Sequence, residues 1–455
     1  MDQVCDSSRT AQSECYARWA LRSLPADGPV SLAIVGAGVR GAEAYGRYAL
    51  DHPALAHVVA VAEPDADRRQ RFAADHGLPP ERIFADWSDL LAVGRLADAL
   101  VVATPDRLHT APVLAALKLD YDILVEKPIA PTEDELEQVA GAAAVSRGSI
   151  TVAHVLRHAP FFARIRRLLD EGVVGRPIAV SHHENIGYWH FAHSYVRGNW
   201  RRADTASPML LAKACHDLDL LRWFAGAACT RVSSVGGLSH FREENAPAGA
   251  PFRCTDGCPV ADACPFYAPR FYMERLAGVT GWPVSAITHD LSPEGRLHAL
   301  QDGPYGRCVY HCDNDVADQQ QVLLEFGNGV TATLTVSAFT ADNTRTSKLM
   351  GTRGEIRGRL DSGEIELRTF QPPAVEQVGV SAPRPPGTAM PAEAHTGHAG
   401  GDEALMAAFC AHVQTRRAGQ AGKSTLTSLE ESLESHRIAF AAERSRRDGV
   451  VVDLA

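Results

Sequence analysis

The 455-residue chain has no apolar run approaching the ~20 residues that a membrane-spanning helix needs. It also lacks any cluster of Lys and Arg long enough to form a phosphate-binding stripe, and its formal net charge is -10. Neither nucleic acid nor a membrane is therefore an expected partner. The opening "MDQVCDSSRTAQSECYARWALRSLPADGPV" lacks the basic-then-apolar order of a secretion signal. A cytoplasmic protein with a short N-terminal arm, residues 1–29, is expected. No internal repeat is evident. What is present is ordinary for a globular enzyme, with 45% apolar and 22% charged residues. The length exceeds one ordinary core, so two domains are expected.

From Val30 onward, short apolar runs alternate with amphipathic segments. "VSLAIVG", "HVVAVAE", "ADALVVATP", "DILVEKP" and "SITVAHV" suit parallel strands buried on both faces. "EAYGRYALDH", "DADRRQRFAADHG" and "EDELEQVAGAAAV" lie between them as helices. Strict alternation predicts right-handed βαβ units and a doubly wound Rossmann domain over residues 30–152. Its first turn, Gly36-Ala37-Gly38-Val39-Arg40-Gly41, follows a predicted strand and opens a predicted helix, which is the context a dinucleotide-binding turn requires. Gly36 permits the tight turn, Gly38 admits a pyrophosphate, and Gly41 lets helix and strand pack closely. Glu63 falls roughly 20 residues further on, where a carboxylate accepts the ribose hydroxyls and disfavours a 2′-phosphate. NAD is thus expected over NADP. Ligands of such sheets bind beyond the carboxyl ends of strands, which adds Thr104, Pro105 and His109, and then Glu126 and Lys127, to the expected cofactor set. Lys127, followed by Pro128, also suits a substrate-side proton donor.

Here the chain resembles the glucose-fructose oxidoreductase / inositol dehydrogenase / rhizopine catabolism (Gfo/Idh/MocA) family of NAD(P)-dependent oxidoreductases. The residues that carry the resemblance are "GAGVRG", "ATPDRLH", "EKP", "HVLRHAPFFARIRRLLDEGVVGRP" and "CHDLDLLRWF". It implies a Rossmann domain followed, over residues 153–455, by an α/β domain with a large open, mostly antiparallel sheet. It implies a sugar, cyclitol or similar polyol as substrate and a homo-oligomer, dimer or tetramer. The family's two proton-handling positions match Lys127 and His216. Many members carry an Asp four residues before that His. This chain has Ala212 there and Lys213 beside it.

The segment "SPMLLAKACHDLDLLRWF" predicts one helix, with Ser207 as N-cap and Pro208 at its first position. Lys213, His216 and Leu220 then share a stripe, and Leu210, Ala214, Leu218 and Leu221 form the packing face. The plain alternative for Lys213 is a surface ion pair with Asp217; the functional one makes Lys213 a third catalytic candidate. Upstream, residues 185–208 are rich in aromatic and polar groups without a clear period. Trp189, His193, Arg197, Asn199 and Trp200 are candidates to stack on and hydrogen-bond a polyol. Arg157, within the segment that carries the resemblance, joins this substrate set.

Five of the ten cysteines fall between Cys254 and Cys312. Cys254, Cys258 and Cys264 with Cys308 or Cys312 suit a structural zinc stapling an insertion at about residues 242–312. An iron–sulfur cluster and plain buried thiols are the competing readings. Beyond it, "QQQVLLEFGNGVTATL" is a hairpin and "GVTATLTVSAFT" a strand with one hydroxyl-rich face. Residues 371–399 suggest a surface excursion, and helices are expected around 402–416 and 427–445. Three functions fit: a hydride-transferring oxidoreductase on a secondary alcohol, a redox-neutral enzyme that retains its NAD through a keto intermediate, and a non-catalytic sugar or NAD sensor.

Overall fold

The computed structural model describes residues 28–379, 397–420 and 424–454. Nearly all of the expected N-terminal arm and most of the expected 371–399 excursion lie outside the described residues. The chain forms two compact units, Met1–Arg164 with Gly397–Arg437 and Ile165–Thr396 with Ile438–Ala455. The unit built on the first half thus takes in a C-terminal stretch that the sequence reading assigns to the second domain.

The first unit is a six-stranded parallel sheet of β1 (Val30–Val35), β2 (Ala56–Ala62), β3 (Ile83–Phe84), β4 (Ala99–Val102), β5 (Asp122–Val125) and β6 (Ser149–Val152). The spatial order is β3-β2-β1-β4-β5-β6. All four residues of β4 and of β5 are buried, as continuous apolar runs covered on both faces require. The order reverses between β1 and β4, which places a crevice at their carboxyl ends. Side-chain caps fix the crossover helices: Asp65 accepts from Arg68 N at Ala66–Asp75, and Thr132 accepts from Glu135 N at Glu133–Val145. The two-residue β3 went unpredicted, being too short to show a period.

The second unit holds a nine-stranded sheet. Its strands are β7 (Pro177–Gly187), β8 (Cys229–Gly237), β9 (Gln319–Phe326), β10 (Thr331–Thr340), β11 (Thr344–Gly351), β12 (Gly354–Arg359), β13 (Glu364–Phe370), β14 (Pro373–Gln377) and β15 (Val452–Asp453). Only β7 and β10 pair in parallel; the other pairs are antiparallel. The β9–β10 hairpin turns at Gly329, whose φ of +83° suits glycine. In β10, Ala332, Leu334, Val336 and Ala338 are buried while Thr331 and Thr333 are exposed, as the period of two predicts.

Two departures bear on function. The helix expected from Ser207 is broken into Met209–Ala212 and Cys215–Ala225. Pro208 holds the N-cap position with no side-chain cap, and Ser207 is itself fully buried. Packing therefore overrides the local capping signal. Nearly every residue of both pieces is buried, so no solvent face exists to hold a continuous amphipathic helix. The second departure is β14, which forms where an excursion was expected to begin. The insertion between β8 and β9 has its own small core of Ala268, Tyr272, Leu276, Val284, Leu300 and neighbours. The guanidinium of buried Arg296 donates there to the carbonyls of Leu291, Tyr272, Leu276 and Val279.

Candidate active site

In the first unit the glycine turn has the shape its sequence predicts. Gly36 has φ +91°, and a Cβ there would stand 2.6 Å from Ala103 O. A Cβ on Gly41 would stand 1.8 Å from Gly36 O, so neither position admits another residue. A Cβ on Gly38 would meet nothing within 4 Å, leaving the turn open on that side. No side chain caps the helix that begins at Val39, so its first N–H groups remain for phosphate oxygens. Glu63 is buried; its Oε2 accepts from Ala37 N at 2.8 Å, and its Oε1 accepts from Asp65 N and Arg68 Nη2, each at 3.0 Å. These residues fit a dinucleotide. Arg68, paired with Glu63, was not among the residues the sequence singled out.

The other expected cofactor residues divide. Thr104 and exposed Pro105 follow β4 at the same edge. His109 is fully buried, its ring nitrogens 2.6 Å from Pro128 O and 2.8 Å from Thr104 O. It ties two strand-end loops together and presents nothing to a ligand, which corrects its place in the cofactor set. Glu126 is also internal: Oε1 accepts from Arg40 Nε and from Tyr45 Oη, both at 2.5 Å. Burial opposes its ionisation, yet Arg40 and Lys127 hold its carboxyl below the usual range. Arg40 of the glycine turn also donates to both oxygens of Asp402, at 2.5 and 3.2 Å, and His398 Nδ1 lies 3.1 Å from Asp402 Oδ2. Glu126 thereby fastens the loop carrying Lys127 to the glycine turn. Tyr45, His398 and Asp402 were not legible, because Arg40 and Asp402 are distant in sequence.

In the second unit, β7 alternates so that Val180, His182, Glu184 and Ile186 face inward. Lys213 Nζ lies 3.4 Å from Glu184 Oε1, and Arg345 Nε lies 2.7 Å from both Glu184 Oε2 and Asp217 Oδ1. His182 Nε2 lies 2.9 Å from Asp217 Oδ1 and its Nδ1 lies 2.7 Å from Ser347 Oγ. Asp217 is fully buried, so the surface Lys213–Asp217 pair does not exist. Burial raises the cost of charging Asp217, but Arg345 and His182 outweigh it and hold the carboxyl well below its usual range. Glu184 goes the other way: burial pushes its carboxyl up, against the pull of Arg345 and Lys213 and with Asp217 nearby. His216 is buried at the start of the second helical piece. The period of two in "VSHHENI" was the signal available for His182 and Glu184.

The substrate set fares unevenly. Trp189 stacks on His190 and Phe271 and lies near Trp282 of the insertion. His190 Nδ1 lies 2.8 Å from Asn343 Oδ1; burial, and then the charge of Lys213, keeps its ring neutral. Asn199 is exposed and Trp200 half-buried. Three expectations are corrected. His193 is buried, bonds Tyr272 Oη at 2.6 Å and stacks on Tyr305, and burial with Arg197 nearby pushes its pKa down to about 3. Arg197 is buried and donates to Arg307 O, Phe266 O and Cys254 Sγ. Both side chains anchor the insertion. Arg157, 1% exposed, pairs with Glu431 inside the first unit and has no surface for a ligand.

Cys254, Cys258, Cys264 and Cys308, all free thiols, line one cavity of about 10 Å³. Cys312 instead lies 3.3 Å from Cys308 O. Among the described residues no group of three or more His, Cys, Asp or Glu is placed to hold a metal ion. The structure thus gathers the four thiols without bringing them into ligand geometry. A larger cavity of about 420 Å³ lies at the opposite, amino-terminal edge of the first sheet. Its Arg147, Arg416 and Arg417 are paired with Asp120, Asp122 and Asp98. That makes it a stabilised joint rather than an anion site.

A dinucleotide-shaped turn in one unit and a polar, aromatic-walled cluster on an open sheet in the other define a two-domain class of Rossmann proteins. The chain belongs to the Gfo/Idh/MocA oxidoreductase family: its NAD-binding Rossmann-fold model matches residues 30–154 and its C-terminal α/β-domain model matches residues 166–454. Inositol 2-dehydrogenase 4 of Saccharopolyspora erythraea is 30% identical over 225 residues, which is 48% of this chain and 59% of that protein. Putative oxidoreductase YteT of Bacillus subtilis is 29% identical over 38% of this chain and 40% of that protein. These matches therefore span about half of each relative's length. Levoglucosan dehydrogenase, solved with NADH and levoglucosan, superposes with a TM-score of 0.65 at 18% identity, covering 93% of this chain and 99% of that one. No helix among the described residues is long and apolar enough to cross a membrane.

Proposed function

We propose that this protein is an NAD-dependent oxidoreductase acting on a secondary alcohol or ketone of a sugar, cyclitol or similar polyol. One observation carries the reading most directly. Glu126 grips Arg40 of the glycine turn and so places the next residue, Lys127, at the cofactor end of the first sheet. The inositol and levoglucosan dehydrogenases among its relatives support the substrate class. Gly36, Gly38 and Gly41 hold the pyrophosphate, and Glu63 takes the ribose hydroxyls. When bound, the nicotinamide supplies the hydride acceptor or donor. Lys127 stabilises the developing alkoxide as an electrostatic donor, and His216 takes or returns the hydroxyl proton. Native mass spectrometry and NADH absorbance with myo-inositol and levoglucosan as probes test it. NAD binding with turnover of a polyol is expected; a protein that binds no dinucleotide refutes the reading.

A redox-neutral reaction with retained NAD is the second reading. The Lys213–Glu184 pair favours it, since a second acid–base couple can move a proton at a carbon beside a transient ketone. NAD that co-purifies and is not exchanged during turnover distinguishes it.

Two finer features belong to the same proposal. The open face of the second sheet exposes Val235 (66%) and Leu323 (59%), which supports a dimer or tetramer, measurable by light scattering. A structural zinc at Cys254, Cys258, Cys264 and Cys308 is supported by their common cavity. Elemental analysis should find about one zinc per chain, lost in Cys308→Ser and kept in Cys312→Ser. A folded protein without metal ends the idea.

A further inference from the structure

Lys213 sits where a predicted helix breaks, with φ -108° and ψ -56°, between the pieces Met209–Ala212 and Cys215–Ala225. The break aims its ammonium at Glu184 on β7, 3.4 Å away, rather than at Asp217 one turn on. Four charged groups meet there: Glu184, Asp217, Arg345 and Lys213, with the His182 ring against Asp217. They are not equivalent. Arg345 Nε donates its hydrogen bond to Asp217, and its Nη2 donates to Asp217 Oδ2 at 3.3 Å. His182 adds a third contact. Asp217 is thus the satisfied anion of the cluster, while Glu184 has ion-pair contacts at 2.7 and 3.4 Å and a second carboxylate facing it across Arg345. Two carboxylates sharing one guanidinium in a dry site drive the less satisfied one toward its neutral form. Lys213 keeps 17% of its side chain exposed, whereas the Glu184 side chain keeps 2%, so the lysine is the member a ligand can reach.

We propose that Glu184 and Lys213 form a second acid–base pair of the substrate site, in the place of the carboxylate that Ala212 does not supply. The inference rests on the oxidoreductase reading above. In the pair proposed, the two groups share one ionisable proton, held on Glu184 Oε1, so that Lys213 Nζ stands as a neutral amine against an uncharged carboxylic acid. The amine accepts a proton from a substrate O–H or C–H, and the reverse transfer restores the pair. No electron leaves the substrate in this step and no other reactant enters. The surroundings agree with it. Burial of Glu184, with Asp217 facing it, favours its uncharged form against the pull of Arg345. The half-buried ring of His190 faces Lys213 as a neutral group and does not compete for protons. Asn343, bonded to His190, and Trp189 complete the neighbourhood.

Infrared difference spectra of the full-length protein, titrated with acid and base, test the pair without any substrate. A protonated-carboxyl band should persist above the ordinary Glu range, and it should vanish in Glu184→Gln. Absence of that band, or its survival in Glu184→Gln, overturns the proposal whatever the protein's activity. The second arm follows NADH formation with myo-inositol or levoglucosan across pH. Lys213→Met and Glu184→Gln should each lose about 10²- to 10⁴-fold in turnover while NAD affinity holds. The double variant should be no worse than the worse single one, and Glu184→Asp should restore part of the rate with a displaced pH limb. Additive losses with an unmoved limb would show a merely structural ion pair. Failure of both probes while the infrared band behaves as expected counts against the substrate class and leaves the pair standing.

Discussion

At the scale of single residues, the site depends on groups whose neighbours decide what they can do. Lys127 follows a carboxylate that Arg40 and Tyr45 hold in place, and that carboxylate feels the charge of the lysine as well as that of the arginine. In the proposed mechanism Lys127 acts on charge that develops in the transition state, whereas His216 moves a proton. Groups of this kind contribute about 10²- to 10⁴-fold in rate. His216→Asn and Lys127→Ala should therefore lose turnover on that scale while keeping NAD affinity and the folded state, as measured by steady-state rates, cofactor titration and circular dichroism. Nearly full activity in His216→Asn would return that histidine to a structural role. Glu126→Gln should act differently. It loosens Arg40 and hence the glycine turn, so NAD affinity should fall before the chemical step does. An unchanged dissociation constant for NAD would mean that Asp402 and Tyr45 suffice to hold Arg40.

At the scale of elements, legibility followed period and broke down with distance. The strands at Val30, Ala56, Ala99, Asp122 and Ser149 were readable because their apolar runs are continuous, and β9–β10 because its residues alternate about a Gly-Asn-Gly turn. The glycine turn was readable because strand, glycines and helix are adjacent in sequence. What escaped was set by tertiary pairing. Ser207 looks like a cap, yet its burial makes Pro208 the boundary. Lys213 and Asp217 are one turn apart, yet each finds its partner on the sheet. Arg197 and His193 looked like substrate ligands because polar residues in an aromatic segment are ambiguous until their partners are known. The glycine turn itself yields a prediction. Glu63 should favour NAD over NADP, but Arg68 stands 3.0 Å from it and offers a cation where a 2′-phosphate would lie. Glu63→Ala should therefore weaken NAD and improve NADP, and Arg68→Ala in that background should remove the gain. Titration of both cofactors checks this, and equal NADP affinity in the unaltered protein would mean that Arg68 prevails.

At the scale of the whole molecule, each unit buries charge that responds to acid. Asp402 in the first unit and Asp217 in the second are buried, and each is held well below its usual range by an arginine that outweighs the cost of burial. An acid whose folded pKa is depressed stabilises the fold fully above its unfolded value, about 3.9, and loses that contribution as pH falls further. The neutral buried histidines act earlier. His154, His190 and His193 are pushed down chiefly by burial, the last to about 3. Their unfolded counterparts take up protons below pH about 6.5 while the folded rings do not, so stability must fall across that interval. The protein should thus be most stable above pH about 7, decline gradually down to about 4, and decline more steeply below as the aspartates join. Urea midpoints measured across this range check the slope. In His193→Asn the decline between pH about 6.5 and 4 should be shallower, since one proton-linked group is gone; in Asp402→Asn the steep limb below about 4 should flatten, at a lower stability near neutrality. A midpoint that stays level from pH about 7 to 5 would mean that the buried histidines are already protonated in the fold, and that their carbonyl and hydroxyl partners, rather than burial, set their charge.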